Sequence, residues 1–344
     1  MDDEPRDLGG VLARLAERRD LSAASAEAAF DIVMRGNASP VQIAGLLMGL
    51  RTKGLKAAEL AGAVRALRRA MVPVPAREPE SLVDTAGTGG GSVTTFNIST
   101  AAALVAAAAG ARVAKHGNRS FTSRSGSADV LEALGVNIEI SPVRMAEILD
   151  EVGIVFMFAP LLHPAMRHVA PVRKALGITT VMNVVGPLAN PAGARRQVVG
   201  VSDPALLHLV ADALAELGHL SALVVHGSPG MDEMSPVGPT RTVELSGQGV
   251  VEREIVPEEL GLATGEAAGL AGGEPAANAR VIVRVLGGEE RGVARTAVVM
   301  NAAAALYVAG VASTLDDGVA RATEALAGGA PLAVLERLKR ASRG

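Results

Sequence analysis

From position 7 to about position 71 the apolar residues recur every three or four places: Leu8, Val11, Leu12 and Leu15; Ala26, Ala29, Phe30, Ile32 and Val33; Ile43, Leu46, Leu47 and Leu50; Leu60, Val64 and Leu67. That spacing marks one face of a helix, so it predicts a small N-terminal unit of consecutive helices. Ser39-Pro40 reads as an N-cap followed by a first helical position, and Gly54 as a stop after Leu50. The stretch from Val72-Pro73-Val74-Pro75 to Glu80 is rich in proline and charge and reads as a connection.

Beyond it the rhythm changes, and short apolar runs alternate with longer helical patterns. Strands are expected at 82–86, 112–115, 155–159, 198–201, 223–225 and 242–245, and helices at 98–109, 128–134, 142–152, 204–217, 294–308 and 315–327. Such alternation predicts an α/β domain with a mainly parallel central sheet flanked by helices. The expected architecture is therefore a small N-terminal helical domain, 1–75, and a larger α/β domain, 76–344. No internal repeat is evident. Between 163 and 191 the prolines and Gly186 interrupt the α/β rhythm.

Composition narrows the function. With 344 residues, 49% of them apolar, the chain has enough material for one large domain or two unequal ones. Cysteine is absent, which removes disulfide and thiol chemistry. The acidic start Met-Asp-Asp-Glu-Pro-Arg has no apolar run behind a positive segment, and the apolar stretch 98–111 is too short and too alanine-rich to span a bilayer. A cytoplasmic protein with no membrane partner is the expectation. A net charge of −3 with both signs intermixed leaves no broad basic surface, and 2% aromatics leave few stacking platforms. Nucleic acid is therefore not an expected partner.

The chemistry concentrates between Asp84 and Thr100, where an apolar strand, a glycine cluster and a hydroxyl-rich helix start follow one another. Glycines let consecutive amides turn toward one anion, and the helix start adds unpaired amides and the positive end of its dipole. Thr94, Thr95, Asn97, Ser99 and Thr100 supply side-chain donors. Neither the lysine-containing P-loop spacing nor the dinucleotide fingerprint is present, so a different phosphate ligand is implied. A second strand, 112–115, runs into Lys115-His116-Gly117-Asn118-Arg119-Ser120, with Thr122, Ser123, Ser125 and Ser127 close behind. Lys115 and Arg119 are suited to phosphate, and His116 and Asn118 to a smaller polar group. Two polar loops at successive strand ends should open onto one crevice.

The run 84–135 carries Gly87-Thr88-Gly89-Gly90, Phe96-Asn97-Ile98-Ser99-Thr100, Lys115-His116-Gly117-Asn118-Arg119 and Ser125-Gly126-Ser127-Ala128-Asp129, and it resembles the anthranilate phosphoribosyltransferases. His163-Pro164-Ala165-Met166, Ala170-Pro171-Val172-Arg173, the run 183–191, Val225-His226-Gly227, Asp232-Glu233 and Gly238-Pro239-Thr240 extend the resemblance over nearly the whole chain. The resemblance implies transfer of a phosphoribosyl group from phosphoribosyl pyrophosphate to the amine of anthranilate, with two Mg²⁺ ions per site, in tryptophan synthesis. It implies that Gly87, Gly90, Gly91, Thr95, Asn97, Ile98, Ser99, Thr100, Lys115, His116, Gly117, Asn118, Arg119, Ser120, Phe121, Thr122, Ser123 and Ser127 line the phosphoribosyl pyrophosphate site. Anthranilate falls to Gly87, Asn118 and Arg173, with His116 and His163 beside it, and the metal ions to Ser99, Asp232 and Glu233. No catalytic nucleophile is implied. A crossing segment near 163–191 returns to the helical domain, through which members of the family dimerise.

Two departures stand out, since the family usually has aspartate at Gly91 and commonly glycine at Ser92. Arginine is also common at Thr179 and phenylalanine at Met182. The alternatives are a pyrimidine nucleoside phosphorylase-like enzyme and a non-catalytic nucleic-acid-binding relative of the same fold. Asp232-Glu233 and the run 183–191 favour the transferase over the first, and the lack of a basic groove argues against the second.

Overall fold

A computed structural model describes residues 5–120 and 124–344, so the expected site members Phe121, Thr122 and Ser123 lie outside the described residues. The N-terminal helices are α1 (Leu8–Ala16), α2 (Ala23–Met34), α3 (Pro40–Lys53) and α4 (Ala57–Ala70). Their boundaries follow from side-chain capping. Asp7 and Ser22 accept from the third amide of α1 and α2, and Ser39 and Gln42 form a reciprocal capping box ahead of Pro40. Gly54, at φ +95°, ends α3.

The α/β domain runs β1 (Leu82–Gly87), α5 (Ile98–Ala108), β2 (Arg112–Gly117), α6 (Ser127–Ala133), α7 (Pro142–Val152) and β3 (Ile154–Phe158). The crossing segment then contributes α8 (Ala159–Leu162), α9 (Ala170–Leu176) and α10 (Met182–Val185). The chain returns as β4 (Arg196–Gly200), α11 (Leu206–Glu216), β5 (Ser221–Gly227), β6 (Thr240–Ser246) and β7 (Gly249–Ile255), and ends in α12 (Pro275–Leu286), α13 (Val293–Ala309), α14 (Leu315–Ala327) and α15 (Ala330–Arg343). The sheet order is β3-β2-β1-β4-β5-β6-β7, with β1 to β5 parallel and β6 and β7 antiparallel.

This order fixes where a ligand goes. After β1 the chain builds outward through β2 to β3, then returns to the other side of β1 as β4. The crevice at the carboxyl ends of β1 and β4 is thus the topological switch point. α5, α7 and α12 to α15 cover one face of the sheet around a core that includes Leu104, Val105, Val298 and Leu335. α11 covers the other face, where Leu207, Val210 and Leu214 join Phe30, Leu47 and Leu60 of the helical domain and Val185 and Leu188 of the crossing segment in a second core.

The passages between the two parts are stitched together. Val72 donates to the Leu162 carbonyl (2.8 Å) and Val74 to the Pro191 carbonyl (3.0 Å), so the connection pairs with both ends of the crossing segment. Beneath them lies Asp84, fully buried in β1. Its carboxylate accepts from the His116 amide (3.1 Å), from Asn190 Nδ2 (2.8 Å) and from Gln197 Nε2 (3.4 Å). One acid thus ties the end of β2 to the end of the crossing segment and to β4.

Candidate active site

The glycine loop follows β1, and the structure shows why those residues are small. Gly89 and Gly90 have φ of +69° and +79°, which L side chains rarely adopt. A Cβ on Gly87 would lie 2.5 Å from Asp232 Oδ2, and one on Gly200, at the end of β4, 1.7 Å from the Asp232 carbonyl oxygen. The acidic segment after β5 is therefore seated directly on the ends of β1 and β4. The Gly89 amide donates to Asp232 Oδ2 (2.9 Å), and the Ser99 amide at the start of α5 donates to Glu233 Oε1 (3.2 Å). Glu233 thus occupies an otherwise unpaired amide at the positive end of the helix dipole. The two family departures meet this segment as well. Ser92 donates from its amide and hydroxyl to the Gly230 and Pro229 carbonyls (2.9 and 2.8 Å), and a Cβ on Gly91 would stand 3.3 Å from Asp232 Oδ1.

Lys115 lies buried below the crevice. Its ammonium donates to the Thr85 carbonyl (2.6 Å), Thr85 Oγ1 (3.2 Å) and Ser99 Oγ (3.2 Å), so its three protons are already placed and orient the Ser99 hydroxyl. Burial pushes the ammonium down, opposed by attraction to Asp84 and Glu233. Burial likewise pushes Asp232 up, and burial with the Asp232 charge pushes Glu233 up to about 8, opposed by Lys115 and the Ser99 amide. A cavity lined by Thr85, Ser99, Gly200, Asp232, Glu233 and Asn301 lies here.

Around Asn97, which takes a left-handed φ of +68°, the side chain donates to the Ser125 carbonyl (2.9 Å) and accepts from Ser125 Oγ (3.1 Å) and Asn278 Nδ2 (2.9 Å). Thr95 bridges to Ala271, and the Thr100 hydroxyl is buried without a hydrogen-bond partner. At the end of β2, a Cβ on Gly117 would fall 2.2 Å from Ser127 Oγ, which brings the start of α6 against the second polar loop. Asp129 closes that loop by accepting from the Ser120 and Gly126 amides (3.1 and 2.8 Å). Arg119 pairs with Asp129 (3.1 Å) and Glu132 and lies 5.4 Å from the centre of the Phe158 ring. Its guanidinium is thus shared between two carboxylates.

Facing this loop from the crossing segment, His163 Nε2 lies 3.2 Å from His116 Nε2, and both rings are buried. Desolvation pushes His116 well below the usual range and His163 down to about 4, so both are neutral at pH 7. His163 Nδ1 is buried without a partner. Arg173, on α9, is half-buried, and its side chain forms no hydrogen bond or ion pair among the described residues. Burial pushes its guanidinium down. Three polar residues that hold the site together, Asp84, Asn278 and Asn301, have no place among the expected site members. Their one sequence signal is a lone polar side chain in an apolar strand or an apolar helix stretch.

A helical bundle joined to an α/β domain, with a glycine loop and an acidic pair at its switch point, is the architecture of a glycosyl transferase. The glycosyl transferase family a/b domain matches residues 79–332, and the family's helical bundle domain matches residues 10–71. The anthranilate phosphoribosyltransferase of Rubrobacter xylanophilus is 52% identical over 97% of each chain, and that of Parvibaculum lavamentivorans 48% over 98% of each. Among solved structures, the Thermus thermophilus enzyme of that name superposes with a TM-score of 0.92 at 46% identity, covering 97% of this chain and 99% of the other. The Saccharomyces cerevisiae enzyme, solved in complex with PRPP and Mg, gives 0.89 at 28% identity over 98% of each chain. The chain belongs to the anthranilate phosphoribosyltransferase family and is an enzyme, a glycosyltransferase.

Proposed function

We propose that this chain transfers the 5-phosphoribosyl group of phosphoribosyl pyrophosphate to the amine of anthranilate, giving N-(5-phosphoribosyl)anthranilate and pyrophosphate. The reaction requires Mg²⁺ and is the second step of tryptophan synthesis from chorismate. The observation that carries this reading is the meeting of the glycine loop, Ser99 and the half-buried Asp232-Glu233 pair at the switch point. The yeast structures with PRPP and Mg and with 4-fluoroanthranilate support both substrates.

The donor's anomeric carbon gains positive charge as pyrophosphate leaves, so the protein must neutralise the leaving group and align the amine. Mg²⁺ suits the donor set found here. Two half-buried carboxylates and the Ser99 hydroxyl are hard oxygen ligands, and among the described residues no group of three acids or histidines forms a cage. Mg²⁺ is held in that way, through one or two carboxylates with phosphate oxygens and water. When bound, it supplies the charge that stabilises the departing pyrophosphate. Asp232, Glu233 and Ser99 hold it, two ions per site, and Lys115 orients Ser99. The glycine loop, Thr95, Asn97, Thr100 and the 115–120 loop line the phosphoribosyl group. The neutral His116 and His163 face the acceptor, whose carboxylate pairs with Arg173. The helical domain forms the homodimer contact, and the protein is cytoplasmic. No helix among the described residues is long and apolar enough to cross a membrane.

Anthranilate fluorescence is expected to fall with phosphoribosyl pyrophosphate and Mg²⁺ together and to stay constant when a chelator removes the metal. Folded protein that binds the donor without consuming anthranilate would sink the acceptor assignment. Phosphorolysis of a pyrimidine nucleoside would favour the phosphorylase alternative. For Arg173→Ala, loss of one charge-assisted contact of about 1.5–3 kcal/mol predicts a KM for anthranilate raised roughly ten- to hundredfold. The KM for phosphoribosyl pyrophosphate should stay within about twofold of wild type, because the Arg173 side chain forms no bond to the glycine loop, Ser99 or Lys115. Equal rises for both substrates in steady-state kinetics would argue against the assignment.

A further inference from the structure

α13 buries a run of its own small apolar residues, among them Ala297, Val298, Ala302 and Ala304, and one amide interrupts them: Asn301, 4% exposed. A primary amide in such surroundings is costly unless its polar atoms find partners. They do. Asn301 Oδ1 accepts from the Met234 amide (2.9 Å), and its Nδ2 donates to the Met234 carbonyl (3.0 Å) and to the Ala297 carbonyl of its own helix (2.9 Å). Two bonds to the amide and carbonyl of one residue grip that residue as a neighbouring strand would. Met234 directly follows Glu233, and Asn301 lines the same cavity as Asp232 and Glu233.

The gripped segment lies between β5 and β6 and has no helix or strand of its own. The Gly89 and Ser99 amides hold the tips of the two carboxylates, whereas Asn301 holds the backbone from the side of α13. We propose that Asn301 is a positioning residue for the acidic pair. It fixes Met234 so that the carboxylates of Asp232 and Glu233 stand at one depth in the crevice. This rests on the reading of that pair as the holder of Mg²⁺ and pyrophosphate. An amide that merely completes the core would leave the metal response untouched when it is removed.

Asn301→Ser separates the two roles. A serine at 301 can bond the Ala297 carbonyl within α13 but does not reach Met234. Hydrogen exchange of the ligand-free variant is expected to show the Met234 amide opening at least about tenfold faster than in wild type. The Mg²⁺ concentration giving half-maximal rate should rise about tenfold, with the KM for anthranilate within about twofold. Mg²⁺ with inorganic pyrophosphate should raise the melting temperature of the variant less than that of wild type. Wild-type exchange at Met234, or faster exchange with an unchanged response to Mg²⁺ and pyrophosphate, would overturn the inference. Asp232→Ala/Glu233→Ala keeps the two readings apart. If the double variant retains the wild-type Mg²⁺ response, the assignment of the pair fails. If it loses that response and Asn301→Ser does not shift it, only the role of Asn301 fails. Should the serine variant not fold, the wild-type protein decides: Mg²⁺ with pyrophosphate must slow exchange of the Met234 amide, and an unchanged rate counts against the proposal.

Discussion

Asp232→Ala/Glu233→Ala is expected to lower kcat about 10³-fold, on the scale of losing preorganised charge stabilisation at a leaving group. The protein should nevertheless remain folded. Both carboxylates are half-buried, and desolvation is the first cause that pushes each of them up. Their removal relieves that penalty and forfeits two hydrogen bonds, from the Gly89 and Ser99 amides, with the attraction between Glu233 and Lys115, whose ammonium keeps Asp84 and its three hydrogen bonds. The midpoint of unfolding without metal should therefore equal or exceed that of wild type, as for other sites that hold stability in reserve for function. A double variant with kcat within tenfold of wild type, or one that fails to fold, would contradict this balance.

Asp84→Ala should act in the opposite sense, costing about 3–5 kcal/mol of stability, the range for removing one partner from a buried charged network. Its carboxylate accepts from His116, Asn190 and Gln197, and the Lys115 ammonium is attracted to it. Without it three N–H groups lose their acceptor, and the buried Lys115 ammonium loses one of the two carboxylates that attract it. Asparagine should not rescue the loss, because turning the second oxygen into a donor sets it against the Asn190 amide. Urea unfolding of both variants measures the effect, and a change under about 1 kcal/mol would mean that another contact ties the crossing segment to the sheet.

The architecture was legible wherever the pattern was strong. The four N-terminal helices follow their apolar spacing and caps, and six expected strands and six expected helices appear within a few residues of their positions. β7 stands outside those expectations because Gly249–Ile255 is exposed nearly throughout, so no buried face marks it. α12 and α15 do as well. α12 starts at Pro275 behind a glycine-rich stretch, and in α15 the basic residues around Leu338 dilute the spacing of Val334, Leu335 and Leu338. The glycine loop and the 115–120 loop were legible because glycine and hydroxyl residues accumulate there beyond what a turn requires. Asn301, Asn278 and Asp84 were not. Each is one polar residue whose bond to the site reaches a partner at least 30 positions away in sequence, and only the fold brings the two together.

The second hydrophobic core sets a rule for recombining this protein with its relatives. Phe30, Leu47 and Leu60 pack in one cluster with Val185, Leu188, Val210 and Leu214, which lie more than a hundred residues further along the chain. A graft cut at the obvious seam near residue 75 would carry only half of that core into its new host. The unit that can be exchanged is discontinuous, the N-terminal helices together with the crossing segment and α11, and its natural joints are the points where Val72 and Val74 bind the Leu162 and Pro191 carbonyls.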